Sequence, residues 1–177
     1  PLGITTRQAI QLQQDLGSHA EFFLKQYPYR VFEYGYLDFQ TADALARRNG
    51  IPPSAPERAD AALLHTIQME EHKGHLCMHK EVFVRNAVRL LAVPELNRQA
   101  VAQRALAMLK ENRLAIYRDY VYRPIMANAE AGVAARIQEM LTRDKLPYMG
   151  DLDDKIDRQQ AEMGIIFAQE QRHAIKV

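Results

Sequence analysis

The sequence predicts a mainly α fold with one short β-hairpin. Apolar residues recur at helical spacing through most of the 177 residues, and that period breaks once, at 114–123, into two short runs about a two-residue turn. Several helices followed by such a hairpin suggest a winged-helix-like domain, expected over residues 53–143. A composition of 47% hydrophobic and 25% charged residues places the chain among globular proteins and excludes a disordered tail.

Residues 5–16 form the first expected helix, stopped by Gly17, and Ser18 opens a second over 20–27. The stretch 28–38 holds aromatics and Gly35 without a clear period and reads as a connector. A short helix follows over 41–49, closed by Gly50. Ser54-Ala55-Pro56-Glu57 has the form of a capping box, with the Ser side chain on the Glu N–H and Glu reaching back. The helix it opens carries Ala59, Ala62, Leu63 and Ile67 on one face and ends by Gly74. Phe83, Ala87, Leu90 and Leu91 mark the next helix; Val101, Ala105, Met108 and Leu109 mark another, capped by Asn97.

In the hairpin, a loop of Arg118-Asp119 pairs Ile116 with Val121 on one face and leaves the tyrosines on the other. Arg-Asp is a poor type I′ turn. Met126, Glu130, Val133, Ile137 and Met140 then recur through a long helix. Residues 144–150, with Pro147 and Gly150, read as a linker. A polar helix follows over 151–163 with Leu152, Ile156 and Met163 as its buried stripe, and a last helical stretch starts near Gln169. That stretch meets no stop signal before Val177, so the chain is expected to end inside a larger unit.

Several function classes are disfavoured. Lys plus Arg (23) nearly balance Asp plus Glu (22), so nucleic-acid contact must come from local patches. The lone Cys77 rules out an internal disulfide and suits a cytoplasmic protein. No apolar run approaches the roughly 18 residues of a membrane span, and no membrane partner is expected. His65, His72, His75, Cys77 and His79 crowd together, but His-x-Cys-x-His lacks the ligand spacing of a structural zinc site; they read as surface or capping residues and no metal is expected. The acids from Asp151 resemble a calcium loop only faintly, with Lys155 and Ile156 where a ligand and the required Gly belong. No G-x-x-x-x-G-K-[ST] and no G-x-S-x-G occurs. No catalytic residue is assigned, and the chain alone reads as no enzyme. Arginines at 47, 48, 85, 89, 98, 104, 113, 118 and 123 are scattered, as on solvated helix faces. At the hairpin, Tyr117, Tyr120 and Tyr122 beside Arg118 and Arg123 offer stacking surface with phosphate partners, which suits single-stranded DNA.

Tyr27-Pro-Tyr-Arg30, then Asp38-Phe-Gln-Thr-Ala-Asp43, Leu45-Ala46 and Asn49-Gly50-Ile51 follow one another in the order found in RecD-like helicases. The order continues through Pro56-Glu57-Arg58, Leu63-Leu64, Gly74-His75 and Tyr122-Arg123-Pro124. It closes with Gly164-Ile165-Ile166-Phe167-Ala168-Gln169-Glu170-Gln171-Arg172-His173-Ala174. The chain resembles that family along essentially its whole length. The resemblance implies a helix-hairpin-helix region over 1–52, the winged-helix-like domain over 53–143, and over 144–177 a linker and the entry to the motor, just before the phosphate-binding loop. The intact protein would then be a superfamily one helicase, a relative of the exodeoxyribonuclease V alpha chain. It would move five-prime to three-prime on single-stranded DNA in repair or recombination, and use ATP and magnesium that this fragment does not itself hold. Its partners would be the rest of the motor and helicase-associated proteins. By the same resemblance Gln171, with Phe167 beside it, matches the adenine-reading position, and Gly35 the DNA-binding hairpin. The family's hairpin Gly-x-Gly is Gly35-Tyr36-Leu37-Asp38 here, with the second glycine lost and a residue added. Two other readings fit the residues: a free-standing winged-helix regulator that reads duplex DNA, and a helical adaptor that binds proteins.

Overall fold

The computed structural model describes residues 3–143 and 151–176. It comprises two compact units, Pro1–Ala134 and Ala135–Val177.

In the first unit α1 (Thr6–Leu16) opens on a capping box: the Thr5 side chain accepts from the Gln8 N–H and the Gln8 side chain accepts from the Thr5 N–H. Gly17 stops it with φ 53°, and Gly17–His19 form one 3-10 turn before α2 (Ala20–Gln26). Ser18 therefore lies within that turn and caps nothing. The stretch read as a connector contains α3 (Pro28–Glu33), with Pro28 at its first position. Six residues are too few to show a period, and Pro28, Tyr29, Val31 and Phe32 are all buried. Next comes α4 (Phe39–Arg48), two residues earlier than expected because the Asp38 carboxylate accepts from the Thr41 N–H at 2.8 Å.

The expected capping box at Ser54 does not form. Ala55 is the cap of α5 (Pro56–Glu71) and no side chain caps it. Pro56 takes the first helical position, where its missing N–H costs nothing, which leaves Ser54 one residue too early. Buried residues of α5 run all round it, from Arg58 through Leu64 to Ile67, so it is the central helix of the unit. A strand that periodicity misses, β1 (Cys77–His79), leads into α6 (Lys80–Leu91), where Phe83, Ala87 and Leu91 are buried while Leu90 is exposed. Asn97 caps α7 (Arg98–Lys110) as expected, accepting from the Ala100 N–H at 3.1 Å.

The hairpin is β2 (Ala115–Tyr117) and β3 (Tyr120–Tyr122), with Ile116 opposite Val121. β1 pairs antiparallel with β3, giving the order β1-β3-β2. The run helix–strand–helix–helix–strand–strand is a winged-helix-like arrangement, with β2–β3 as the wing. Its core side carries Met78, Leu114 and Val121, which join one contiguous core with Leu12, Val31, Phe32, Leu45, Leu63, Ile67, Phe83 and Met108. The regions 1–52 and 53–134 thus share one interior.

The long helix, α8 (Pro124–Thr142), forms as expected, yet none of its residues is buried, and Val133, Ile137 and Met140 are exposed. The linker expected over 144–150 lies outside the described residues. In the second unit α9 (Leu152–Met163) is capped by Asp151 and ends on Gly164 in the left-handed region. Ile156 is buried but Met163 is exposed, so the expected three-residue stripe reduces to its middle. α10 (Gln169–Lys176) pairs with α9 through Arg172 to Asp153 and Asp157, and Lys176 to Asp153.

Candidate nucleic-acid interface

The wing places its aromatics unequally. Tyr117 and Tyr120 are 64% and 47% exposed, whereas Tyr122 is 8% exposed. Tyr122 stands opposite Cys77, and its hydrogen bond to Cys77, followed by burial, pushes the phenol up to about 12. Its ring is not offered to a ligand, which corrects the reading of three equivalent tyrosines. Arg123 is likewise committed: its Nε lies 2.8 and 2.9 Å from the two Glu71 carboxylate oxygens. Arg118 is different. It is exposed, lies over the Tyr117 ring at 5.4 Å, and forms no ion pair with any described residue. Only Arg118 of the two loop residues takes a positive φ (54°), so the turn is not type I′, which needs two. The Lys80 N–H donates to the Asp119 carbonyl at 2.8 Å and its Nζ meets the Asp119 carboxylate at 2.7 Å, which ties the wing tip to the start of α6.

The helix-hairpin region presents another chemistry. Gly35 (φ 83°) donates to the Phe32 carbonyl at 2.8 Å, and the Tyr36 N–H to the Val31 carbonyl at 3.1 Å. This is a Schellman closure of α3, which explains the glycine by conformation alone. The amides of Gly35 and Tyr36 are thereby occupied, and the carboxylate of Asp38 sits on the start of α4. Burial pushes that carboxyl up, but hydrogen bonds from Thr41 outweigh it and hold it below the ordinary range. A groove of about 990 Å³ runs past this hairpin. Its charged lining is Asp15, Asp38 and Glu71 against Arg7 and Arg123, a poor balance for a phosphate chain. His65, also on its wall, lies flat on Phe39 with ring centroids 5.1 Å apart, and burial holds its pKa low.

Of the nine scattered arginines, those at 47, 98, 104, 113 and 123 pair with carboxylates, and so does Arg58. Arg58, buried in α5, reaches Asp43 of α4 through Nε at 2.7 Å and donates to the carbonyls of Pro53 and Leu91. The Tyr29 hydroxyl donates to the same Asp43 at 2.8 Å, and Arg47 joins at 3.1 Å. Arg104 grips Asp60 at 2.7 and 2.8 Å, and Arg113 bridges Asp60 to Glu33. Arg98 pairs with Glu81. Sequence reasoning missed these hubs and Lys80 beside the wing, while His79, read as a surface or capping residue, does cap α6. Local sequence carries no signal for the strand beside the wing, since Cys77–His79 is too short to show a period and its partner is distant.

In the second unit, the Gln171 Oε1 accepts from the Ala168 N–H at 2.9 Å, and the Phe167 N–H donates to the Gln160 side chain at 2.7 Å. Gln171 thus closes the first turn of α10. Among the described residues no cluster of three or more His, Cys, Asp or Glu is placed to hold a metal, and no helix is long and apolar enough to cross a membrane.

By architecture, the first unit is a helix-hairpin region fused to a small winged-helix-like part. Residues 1–77 match the family model of the ATP-dependent RecD2 DNA helicase HHH domain, which takes in α1 to α5 and the first residue of β1. That match supports a RecD-like helicase N-terminal region.

Proposed function

We propose that this chain is the DNA-engaging and positioning region of an ATP-dependent DNA helicase, and that the wing is where it meets single-stranded DNA. The match of residues 1–77 to the helicase HHH family carries the reading. The winged-helix-like part shares that region's core, so the two act as one body. Support for single strands over duplex comes from α7, the helix a winged-helix regulator would lay in the major groove. Its Arg98 and Arg104 are both paired with carboxylates, whereas the wing offers exposed rings and Arg118.

The parent would be a cytoplasmic superfamily one enzyme related to the exodeoxyribonuclease V alpha chain, moving five-prime to three-prime in repair or recombination. Its motor would supply ATP hydrolysis with magnesium, with helicase-associated proteins as further partners. Gln171 and Phe167 would border the adenine. The Gln171 Oε1 accepts from the Ala168 N–H, and its second lone pair with the amide NH2 would serve the adenine edge.

Fluorescence anisotropy of the chain on labelled single-stranded and duplex DNA, across salt, tests the central claim. The expected result is salt-sensitive, sequence-indifferent binding that favours single strands. Tight sequence-selective duplex binding would replace the reading with a regulator; no binding to any DNA would replace it with an adaptor. In the intact parent, Gln171→Ala should raise the Michaelis constant for ATP on the order of ten- to a hundredfold.

A further inference from the structure

The register of the small sheet builds a row of rings. His79 stands opposite Tyr120 on one side, and Tyr120 opposite Tyr117 on the other. Cross-strand partners share a face, so the three rings form one line across β1, β3 and β2. The neighbouring line, Cys77–Tyr122–Ala115, lies two residues along the strands on the same face, and there Tyr122 is buried and in contact with Glu130 of α8. The ring line therefore lies outside the covered part of the sheet, with two of its members about half exposed or more.

His79 is fixed at both ends of its ring. Its Nδ1 accepts from the Glu81 N–H at 3.3 Å, capping α6, and its ring meets Tyr120 edge-on at 5.7 Å. Its ring edge thus packs against Tyr120. Arg118 supplies a cation at the end of the line, and Lys80 holds Asp119 in an ion pair that offsets the nearest carboxylate.

We propose that this row is a binding site for unpaired bases of single-stranded DNA, with Tyr117 and Tyr120 as stacking rings, His79 packed beside Tyr120, and Arg118 on the phosphate side. The inference rests on the reading of the chain as DNA-engaging and adds the atoms that engage. Unpaired bases are the occupant because they expose flat faces that paired bases hide, and because ring stacking tolerates any base. The local charge, one free guanidinium beside a neutralised carboxylate, complements a phosphate chain.

The test uses the whole chain. It contains no Trp, so Tyr117→Trp installs a single indole reporter in the row. The probes are an oligothymidylate of about 12 nucleotides, within the usual site sizes for such proteins, an abasic strand of equal length, and a blunt duplex. The oligothymidylate should quench the reporter and the abasic strand should not. Tyr120→Ala should weaken oligothymidylate binding about tenfold and Tyr120→Phe by less than about twofold, since stacking needs the ring and not the hydroxyl. An unmoved reporter on a chain that still binds oligothymidylate overturns the row as the site and leaves DNA engagement standing. Failure of the unsubstituted chain to bind any DNA overturns both. Equal quenching by the abasic strand or the duplex overturns base stacking.

Discussion

The helix-hairpin region and the wing both resemble DNA-contacting elements in sequence, yet they handle charge in opposite ways. In the former, carboxylates are met by arginines from the winged-helix-like part. Arg58 is 3% exposed and joins α5 to Asp43, while Arg113 spans Glu33 and Asp60. The hairpin amides close their own helix, and the Asp38 carboxylate caps the helix that follows. At the wing, two rings and one guanidinium face solvent. The difference teaches that motif residues can serve packing: Tyr29, Asp43 and Arg58, each part of a motif that carried the resemblance, meet in one hub.

The largest expected effect is at that hub. Asp43→Ala leaves the buried guanidinium of Arg58 without its carboxylate and the Tyr29 hydroxyl without its acceptor. Breaking such a pair from one side costs about 3–5 kcal/mol, readable by urea unfolding. The hub should also shape acid stability. Burial pushes the Asp43 carboxyl up, but the hydrogen bonds from Arg58 and Tyr29 outweigh it and hold the group below its ordinary range. A depressed folded value means the contribution is complete above the unfolded pKa of about 3.9 and fades as pH falls through the lower folded value. Unfolding measured from pH 5 downward should show a shallower acid loss for Asp43→Asn than for the unsubstituted chain. An identical slope would show that other carboxylates set it.

What was legible in the sequence divides by distance along the chain. The hairpin register followed from a two-residue loop, and Asn97 was readable as a cap because its partner is three residues away. The winged-helix-like order was inferable from helices that bury one stripe. Strand β1 was not, since three residues carry no period and its partner β3 lies more than forty positions on. The fate of the arginines was hidden for the same reason: Arg113 and Glu33 are 80 residues apart, and no local pattern separates a cation bound to a distant carboxylate from a solvated one. Of the five wing candidates, Tyr122 and Arg123 prove to be interior or paired.

A smaller effect separates the two regions more sharply. Gly35→Ala meets no atom within 4 Å, so its cost is the left-handed backbone alone, about 1–2 kcal/mol. Because the Gly35 amide already serves Phe32, affinity for single-stranded DNA should be unchanged. A variant that keeps its stability but loses binding would return the hairpin to the DNA interface.

The smallest stability effect, and the one of opposite sign, belongs to Arg118. The residue holds φ 54° at the wing tip, a conformation that glycine adopts without strain. Arg118→Gly should therefore raise the unfolding midpoint slightly, or leave it in place, in the same urea titration that registers Gly35→Ala as a loss. Binding should move the other way. Removing one phosphate-facing cation lowers the slope of log affinity against log salt by about 0.7 for a single strand, so the variant binds less tightly at low salt and converges on the parent as salt rises. A wing that serves only to cover the sheet edge would gain or keep stability with no change in the salt slope. A wing that meets DNA gives up affinity at the residue where it gains in fold, and the coexistence of strain and free charge at Arg118 is then explained by function.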